Sequence, residues 1–404
     1  MNYKNNQLYL ENVPINKISK KYGSPTYCYS LNKIKKNIEK FKKNFKKTDP
    51  LICFSVKSNS NSEILREIKR NGLGADVVSK GELMKSIKLG MNPKKIVFSG
   101  VGKTYDELNY AISKNILLIN CESEEEINKI EMMAKARKKK VDIGVRLNPN
   151  IDPKTIKKIT TGRSGDKFGI DKSNLVKIVK KYKDSKNLNI RCLSVHIGSQ
   201  ITNHGPYIKM LNVLSSVIVK CKHNFDYIDL GGGMGINYNN KDKKLNYKKY
   251  NFFIEKFLKK HSSKLIFEPG RSIIADTALL LTKIIYIKKT KNINFVILDA
   301  AMNDLMRPAL YNANHKIIPF IKKKNINYIK HEFVGPICET TDKFSSQPKY
   351  QYLNEGDILA ICDVGAYGMS LASNYNLRTK PAEVLVNKSS IKVINKREQL
   401  KNII

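Results

Sequence analysis

Several features that mark special classes of protein are missing from this 404-residue sequence. None of its seven cysteines forms a C-x-x-C pair, which argues against a disulfide framework or a structural zinc site and for a reducing compartment. No apolar run approaches the ~18 residues that span a bilayer. The opening MNYKNNQLYLENVP has no apolar signal core. We therefore expect a cytoplasmic protein with no membrane partner and no bound metal.

Arginine is scarce in a chain that is otherwise strongly basic. Only 10 of the 74 basic residues are arginine, although the formal net charge is +39. The lysines are spread through predicted helices, in stretches such as KIVKKYKDSKN, and do not form a basic tail or an arginine cluster. The charge therefore predicts salt-sensitive, non-specific adhesion to polyanions rather than specific binding of nucleic acid.

Short apolar runs alternate with helix-period segments between about residue 50 and residue 272. Eight such alternations favour a (β/α)8 barrel, with a doubly wound open sheet as the alternative. The runs are almost continuously apolar, as expected of parallel strands that are buried on both faces. They are LICFSVK, GADVVS, KIVFSG, LLINCES, VDIGVRLNP, LSVHIGS, FDYIDLGGG and KLIFEPGRS.

The pattern changes after about residue 277, where strand-like runs such as ALLLTKIIYIKK, DILAICDVGAYG and AEVLVN predominate. This change predicts a second, mainly β domain, to which the N-terminal LYLENVPI and TYCYS could contribute. We predict a barrel over residues 33–276 and a β domain built from residues 1–32 plus 277–404.

Glycine and serine residues predict where several barrel helices begin and end. Gly72 and Gly90 stand where C-terminal caps are expected, and Ser62 and Ser123 stand where N-caps are expected.

Each predicted barrel strand ends in a polar or glycine-rich group. Because the C-terminal ends of barrel strands open on one face, these groups are expected to converge on one pocket. They are Lys57, Ser79, Ser99 with Gly100, Glu122, Arg146 to Asn148, His196, Gly231 to Gly233, and Glu268 to Arg271.

Lys57 is unusual because it ends an apolar run, in CFSVKSNS, at the predicted inner rim. A lysine in such a place can form a Schiff base with an aldehyde. His196, in SVHIGSQ, could stack on an aromatic cofactor or act as an acid or base, although a lone histidine is more often structural. No second histidine or cysteine lies at metal-ligand spacing from it.

Two further motifs on this rim suit an anion and a heterocycle. The glycines of DLGGGMGINY let backbone N–H groups approach an anion, but the spacing fits neither G-x-G-x-x-G nor a nucleotide P-loop, and a tight turn is the alternative. In FEPGRS, Glu268 could bind a ring nitrogen and Arg271 a carboxylate, or the two could form an internal ion pair. Pyridoxal phosphate has each complementary feature.

The predicted β domain adds substrate-binding candidates in three loops. They are Arg307 and Tyr311 in MNDLMRPALY, Cys338 and Glu339 in VGPICETTD, and Tyr367 in DVGAYGMSLASNYN. Taken singly, each of these residues could equally be part of an ordinary loop or, for the cysteine, a buried thiol.

Over nearly its whole length, the chain resembles the diaminopimelate decarboxylase family, within the alanine-racemase-like class of pyridoxal-phosphate enzymes. The resemblance is carried by SVKSN, SVHIGSQ, DLGGGMGI, FEPGRSI, DLMRPALY, GPICETTD and GAYGMSLASNYN, in this order. It implies a barrel followed by a β domain, and a homodimer with a shared active site. The implied reaction converts meso-2,6-diaminopimelate to L-lysine and CO2, the last step of lysine biosynthesis.

The resemblance also implies a role for each candidate residue. Lys57 would hold the cofactor, His196 would lie against its ring, and Glu268 would contact the pyridine nitrogen. The phosphate would lie near Ser199 and the glycine turn, and Gly270 and Arg271 would complete the cofactor site. Arg271, Arg307 and Tyr311 would bind the substrate carboxylate that is retained, with Tyr367 near cofactor and substrate. Cys338 and Glu339, lent by the partner subunit, would supply the proton donor and a contact to the distal ammonium.

One residue departs from the pattern of the family. Ile156 stands where the family segment often carries histidine, which predicts altered loop contacts and not lost chemistry.

The sequence also leaves other functions open. An ornithine- or arginine-type decarboxylase is the nearest rival, but it would need no clamp for a distal carboxylate. A racemase would need a second base, for which we find no convincing candidate. A non-enzymatic protein that binds pyridoxal phosphate or RNA is supported only by Lys57 and the charge.

Overall fold

The computed structural model describes residues 1–238 and 245–404 of the chain, and these form two compact units. One unit contains Met1–Ile38, a short segment that begins at Asn237, and Ile273–Ile404. The other unit contains most of the chain between Glu39 and Ser272.

The N-terminal elements belong mainly to the first unit. Three short strands form an antiparallel sheet in the order β1-β2-β3, and a fourth strand joins a larger sheet described below. The elements are β1 (Asn2–Lys4), β2 (Gln7–Leu10), β3 (Val13–Pro14), α1 (Ile15–Tyr22), β4 (Thr26–Ser30) and α2 (Leu31–Asn44).

The second unit is built on a closed barrel of parallel strands. The strands are β5 (Leu51–Ser55), β6 (Gly74–Val77), β7 (Ile96–Phe98), β8 (Leu118–Cys121), β9 (Val141–Leu147), β10 (Leu188–Val195), β11 (Tyr227–Asp229) and β12 (Lys264–Phe267). The helices are α3 (Ser62–Arg70), α4 (Lys80–Lys88), α5 (Tyr105–Ser113), α6 (Glu124–Ala136), α7 (Lys172–Tyr182), α8 (Gly205–Cys221) and α9 (Tyr247–Leu258).

Pairing of β12 with β5 and of β9 with β10 closes the barrel, so the prediction of a barrel rather than an open sheet is confirmed. Seven of the eight apolar runs contain a whole strand of this barrel, and LSVHIGS contains the last three residues of β10. Side chains from both faces of the strands are buried, which explains why the runs are almost continuously apolar.

The predicted helix ends are correct except at one residue. Gly72 and Gly90 both follow the last helical turn with φ of +77°, and the Ser123 side chain accepts a hydrogen bond from the backbone of Glu126. The prediction for Ser62 is wrong by one position. Asn61 caps α3 by accepting from the backbone of Glu63, because its amide oxygen serves as well as a hydroxyl, and Ser62 is the first helical residue.

The first unit is completed by a mainly β segment. Its main sheet has the strand order β18-β17-β14-β13-β4-β21-β22, and β20 pairs with both β13 and β15. The elements are α10 (Arg271–Ile274), β13 (Ala278–Lys289), β14 (Ile293–Leu298), α11 (Arg307–Tyr311), β15 (Ile317–Pro319), β16 (Ile326–Asn327), β17 (Lys330–Val334), β18 (Lys343–Gln347), β19 (Tyr350–Gln351), β20 (Ile358–Cys362), β21 (Ala382–Asn387) and β22 (Ser390–Asn395).

The N-terminal TYCYS run enters this sheet as β4, between β13 and β21. LYLENVPI does not enter it and instead forms most of the small sheet β1-β2-β3. The apolar side chains of that small sheet share a core with β13 and β21, in which Leu8 and Leu10 pack with Leu279 and Val384.

The close approach of β6 to the start of β7 can be tested at Gly74. A Cβ added at this residue would overlap the backbone carbonyl of Lys95, which cannot move without disturbing the start of β7. We expect Gly74→Ala to lower the free energy of unfolding by about 1–3 kcal/mol, as overpacking does. Urea titration measures this change. Gly102→Ala is the control, because an added Cβ there meets nothing within 4 Å. Equal stability of the two variants would contradict the packing described for β6 and β7.

Candidate active site

Lys57 lies in a single helical turn, Val56–Ser58, immediately after β5. Its Nζ is 2.9 Å from Oδ2 of Asp76, a fully buried carboxylate on β6, while the lysine side chain itself is 37% exposed. Ser55 Oγ donates a second hydrogen bond, of 2.6 Å, to the same oxygen. A buried carboxylate needs such partners to offset its lost hydration. Asp76 therefore fixes the amine of Lys57 at the mouth of the barrel.

The turn Gly231 to Gly233 follows β11 and closely approaches the ends of the neighbouring strands. A Cβ added at Gly232 would overlap the carbonyl of Glu268, and one added at Gly233 would overlap the carbonyl of Gly198. Gly231 and Gly233 also have positive φ, of 62° and 82°, which glycine adopts without strain. Only glycine fits this turn, which leaves bare backbone on the rim.

His196 follows β10 and faces this turn as a neutral ring. The backbone N–H of Gly232 donates to its Nδ1 over 3.1 Å, so that nitrogen carries no proton. Burial lowers the pKa of His196 well below its usual value, and the positive charges of Arg146 and Lys57 lower it further. The imidazole is thus held in one tautomer and stays uncharged near neutral pH.

Glu268 follows β12 and belongs to a buried acidic pair. Its Oε1 accepts a 3.3 Å hydrogen bond from Ser99 Oγ, and its side chain is hydrogen-bonded to that of Asp229 on β11. Asp229 also accepts from the backbone of Gly231 over 2.9 Å and from Asn120 Nδ2 over 3.1 Å. This network joins the glycine turn to the carboxyl group of Glu268.

The acidic pair holds a proton. Burial raises the pKa of Glu268 well above its usual value, and the nearby carboxylates of Asp229 and Asp76 raise it further. Burial likewise raises the pKa of Asp229, to about 6, against the hydrogen bond from Gly231. Two carboxylates in contact in a buried site cannot both ionise easily, so they share one proton.

Ser199, Gly270 and Arg271 lie on the same barrel unit. Arg271 is 8% exposed, and its Nη2 donates to Ser199 Oγ over 3.0 Å. A Cβ at Gly270 would come within 2.8 Å of Ser58 Oγ, so the backbone here lies against the turn that carries Lys57. A hydroxyl and a guanidinium are suitable donors for a phosphate or a carboxylate.

The other candidates lie in the mainly β unit. Arg307 and Tyr311 are the first and last residues of α11, and Arg307 is only 4% exposed. Arg307 Nη1 lies 2.7 Å from Nε2 of His315, and its guanidinium stacks 4.6 Å from the centre of the Tyr238 ring. Tyr367 is half-buried in the loop after β20, with φ of +55°.

Cys338 and Glu339 occupy an exposed loop between β17 and β18. The base of this loop is fixed by the buried carboxylate of Asp342, which accepts two backbone hydrogen bonds of 2.7 and 2.8 Å. Asn376 Nδ2 lies 3.7 Å from Cys338 Sγ, and the Tyr375 hydroxyl donates to the Glu339 carboxylate. The thiol and the acid therefore have fixed partners in the same unit although both are exposed.

Several residues of the site escaped the sequence analysis. Asp76, Asn120 and Asp229 lie inside barrel strands, where the runs GADVVS, LLINCES and FDYIDLGGG interrupt their apolar character. Polar residues within such buried runs are a signal of an inward-facing polar layer, and this signal could have found them. His315, in NANHKI, has no such signal, because only folding brings it to Arg307.

Within residues 1–238 and 245–404, no helix is both long enough and apolar enough to cross a membrane. In the same part of the chain, no group of three or more histidine, cysteine, aspartate and glutamate side chains is arranged to hold a metal ion.

The barrel and its rim define a class of enzyme. Residues 31–275 match the family model described as pyridoxal-dependent decarboxylase, pyridoxal binding domain. This match covers the barrel strands and every candidate residue of the barrel rim, from Lys57 to Arg271.

Relatives that match over the full length of the chain identify the family within this class of enzyme. Diaminopimelate decarboxylase of Aquifex aeolicus is 38% identical over 407 residues, covering 100% of this chain and 96% of the relative. The Vibrio cholerae enzyme of the same name is 37% identical, covering 98% and 95%. The chain belongs to the diaminopimelate decarboxylase family, as its motifs predicted.

Solved structures of the same family are similar to this chain in fold. Diaminopimelate decarboxylase of Helicobacter pylori complexed with L-lysine matches with a TM-score of 0.91 and 37% identity, covering 96% of this chain and 98% of that one. The enzyme of M. jannaschi matches with a TM-score of 0.94 and 34% identity, covering 100% and 96%. A lysine/ornithine decarboxylase from Vibrio vulnificus shares the fold, with a TM-score of 0.80, at 19% identity.

The raised pKa of Asp229 has a consequence for stability. The pKa of Asp229 is about 6 in the folded protein against 3.8 for an ordinary aspartate. As the pH rises from 4 to about 6, the unfolded chain releases a proton that the folded chain keeps, so the free energy of unfolding falls. Asp229→Asn should reduce this fall, by on the order of 2 kcal/mol.

Urea titrations of the cofactor-free protein between pH 4 and pH 7 measure this effect. The control is Asp226→Asn, which removes a half-exposed acid paired with Arg191 and should leave the pH dependence nearly unchanged. Parallel pH profiles for the wild type and Asp229→Asn would show that Asp229 does not keep a proton between pH 4 and pH 6.

Proposed function

We propose that the protein decarboxylates meso-2,6-diaminopimelate to L-lysine and CO2, with pyridoxal 5'-phosphate as cofactor. The observation that carries this proposal is the ion pair between Lys57 and the buried Asp76, on the same rim as a glycine turn, a neutral histidine and a protonated acid. Full-length similarity to diaminopimelate decarboxylases supports the choice of substrate. The proposal includes a cytoplasmic location, as expected from the sequence.

The residues of the barrel rim fit the cofactor in chemistry. An amine at Lys57 suits an aldehyde, and the bare glycine backbone with Ser199 and Arg271 suits a phosphate. A neutral ring at His196 can stack on a pyridine without charge repulsion. When bound, the cofactor supplies an aldehyde that takes up the substrate amine and a ring that accepts the electrons released with CO2.

Glu268 has the properties needed to protonate a ring nitrogen. Its carboxyl holds a proton because burial disfavours its ionisation, and the nearby Asp229 and Asp76 disfavour it further. A basic nitrogen placed beside it can take that proton, after which Glu268 remains as the paired anion. The hydrogen bond that Glu268 accepts from Ser99 and the one that it donates to Asp229 hold the carboxyl in place. Asp76, in turn, holds the Lys57 amine where the aldehyde of the cofactor would bind.

We assign recognition of the retained carboxylate to Arg271, Arg307 and Tyr311, with Tyr367 near the cofactor and substrate. Arginine presents a planar pair of donors that matches a carboxylate. A substrate without a distal carboxylate, such as ornithine, cannot use these groups. This difference is the basis of the proposed selectivity.

We assign the final proton donation to the thiol of Cys338 and contact with the distal ammonium to Glu339, both supplied by the partner subunit of a homodimer. Two observations support this assignment. Both residues are exposed in the single chain, and both are held by side chains of one segment, Tyr375 and Asn376. A fixed but exposed pair suits a group that completes a neighbouring site.

An assay of purified protein tests the function. With pyridoxal phosphate, the wild type should release CO2 from meso-diaminopimelate and not from ornithine, and borohydride should fix the cofactor to the peptide that contains Lys57. Lys57→Ala should lose both turnover and this attachment. Lys80→Ala, which removes a lysine paired with the exposed Asp106, is the control. Turnover of ornithine, or attachment at another lysine, would contradict the proposal.

A second variant tests the proton donor. Cys338→Ser should keep the bound cofactor but slow product formation by about 10²–10⁴-fold, the usual contribution of a positioned acid. Steady-state rates and the absorbance of bound cofactor measure the two properties. A rate like that of the wild type would exclude Cys338 from the chemistry.

Mixing Lys57→Ala with Cys338→Ser tests the shared site. If subunits exchange at random, heterodimers contain one intact site, and roughly a quarter of wild-type activity should return. Tagged chains would verify that heterodimers form. No recovery in proven heterodimers would place both residues of a site in one chain.

A further inference from the structure

Arg307 is held by two rings in the β unit. Its Nη1 is 2.7 Å from Nε2 of His315, and its guanidinium lies 4.6 Å from the centre of the Tyr238 ring. The two rings meet edge to face, with centres 5.3 Å apart. His315 is fully buried and Arg307 is 4% exposed, so these contacts are shielded from water.

The hydrogen bonds of His315 define its tautomer. Nδ1 lies 2.8 Å from the backbone carbonyl oxygen of Cys362, which can only accept, so Nδ1 carries the proton. A guanidinium can only donate, so Nε2 must accept the hydrogen bond from Arg307. A second proton on this ring would remove that acceptor and place two cations in contact. His315 is therefore neutral and serves as a fixed acceptor for Arg307.

The position of His315 is set by the sheet. It lies two residues before β15, whose Ile317 pairs with Ile361 of β20, and the carbonyl of the next residue, Lys316, accepts from the backbone of Cys362 over 2.8 Å. The same Cys362 supplies the carbonyl that binds the histidine ring. Strand pairing thus fixes the imidazole, and the imidazole fixes the guanidinium.

We propose that His315 is a positioning residue that holds the Arg307 guanidinium in place and so contributes to the selectivity for substrates with a distal carboxylate. This inference rests on the proposed function, in which Arg307 binds that carboxylate. A planar guanidinium binds a carboxylate through two parallel hydrogen bonds only when its plane is fixed. His315 accepts a hydrogen bond from the guanidinium and the Tyr238 ring packs against it, and neither ring needs to touch the substrate.

Two substitutions separate the roles of the two ring nitrogens. In His315→Asn, the amide can still donate to the Cys362 carbonyl in place of Nδ1, but the shorter side chain has no acceptor in the place of Nε2. In His315→Gln, the amide oxygen can accept from Arg307 in place of Nε2. His331→Asn is the matched control, because His331 is also buried in the β unit and its Nδ1 binds a carbonyl, that of Ile329, over 2.8 Å.

The first measurement is steady-state turnover of meso-diaminopimelate by the holoenzymes. His315→Asn should raise KM about 10- to 100-fold, the effect of losing a hydrogen bond to a charged group, with kcat changed less than about threefold. His315→Gln should recover most of the loss, and His331→Asn should behave like the wild type. An unchanged KM in His315→Asn would overturn the proposal, as would equal losses in all three variants.

The second measurement is inhibitor binding, which distinguishes this proposal from failure of the proposed function. L-lysine carries the carboxylate, and 1,5-diaminopentane lacks it. His315→Asn should weaken inhibition by L-lysine by the same factor as KM and leave inhibition by 1,5-diaminopentane unchanged. Equal weakening of both would show a merely structural role. If the wild type turns over no diaminopimelate, the proposed function fails, and calorimetry of L-lysine binding to wild type and His315→Gln still tests the positioning role.

Discussion

The contact between the Lys57 amine and the buried carboxylate of Asp76 is the interaction on which the rest of the site depends. It places a reactive nitrogen at the open end of the barrel, 2.9 Å from an oxygen that solvent does not reach. A long lysine side chain would otherwise sample many rotamers in water, and fixing it costs conformational entropy. The buried charge offsets that cost because it needs a partner.

Around this contact the rim keeps each titratable group in a defined state. His196 is neutral because it is buried, accepts from Gly232 and lies near two positive charges. Glu268 keeps a proton because it is buried and because Asp229 lies against it. Low dielectric strengthens both effects. The barrel thus presents an amine, an uncharged ring and a protonated acid together, which is the set that a phosphorylated aldehyde with a basic ring requires.

The sequence was sufficient for the barrel, for the joining of TYCYS to the sheet, and for the convergence of Lys57, His196, the glycine turn and Glu268. The barrel and the sheet follow from local sequence patterns. The convergence of the site residues follows because strand ends in a barrel share one face. The partners of these groups could not be found in the same way. Asp76 lies beside Lys57 because β6 pairs with β5, the strand that precedes Lys57. His315 lies beside Arg307 because β15, which follows the histidine, pairs with β20.

Two details show where local signals mislead or fall short. Asn61 rather than Ser62 caps α3, and both residue types suit that place. The roles given to Cys338 and Glu339 depend on a second chain, which a pattern in one chain cannot position. The domain boundaries and the roles of individual site residues therefore remain predictions from motif and chemistry.

A crystal structure of the wild-type protein with pyridoxal phosphate would test the central claim most directly. The account predicts continuous density between Nζ of Lys57 and the aldehyde carbon, the phosphate against the turn at Gly231 to Gly233, and Glu268 within hydrogen-bonding distance of the ring nitrogen. Cofactor density at another lysine, or a ring nitrogen turned away from Glu268, would contradict it.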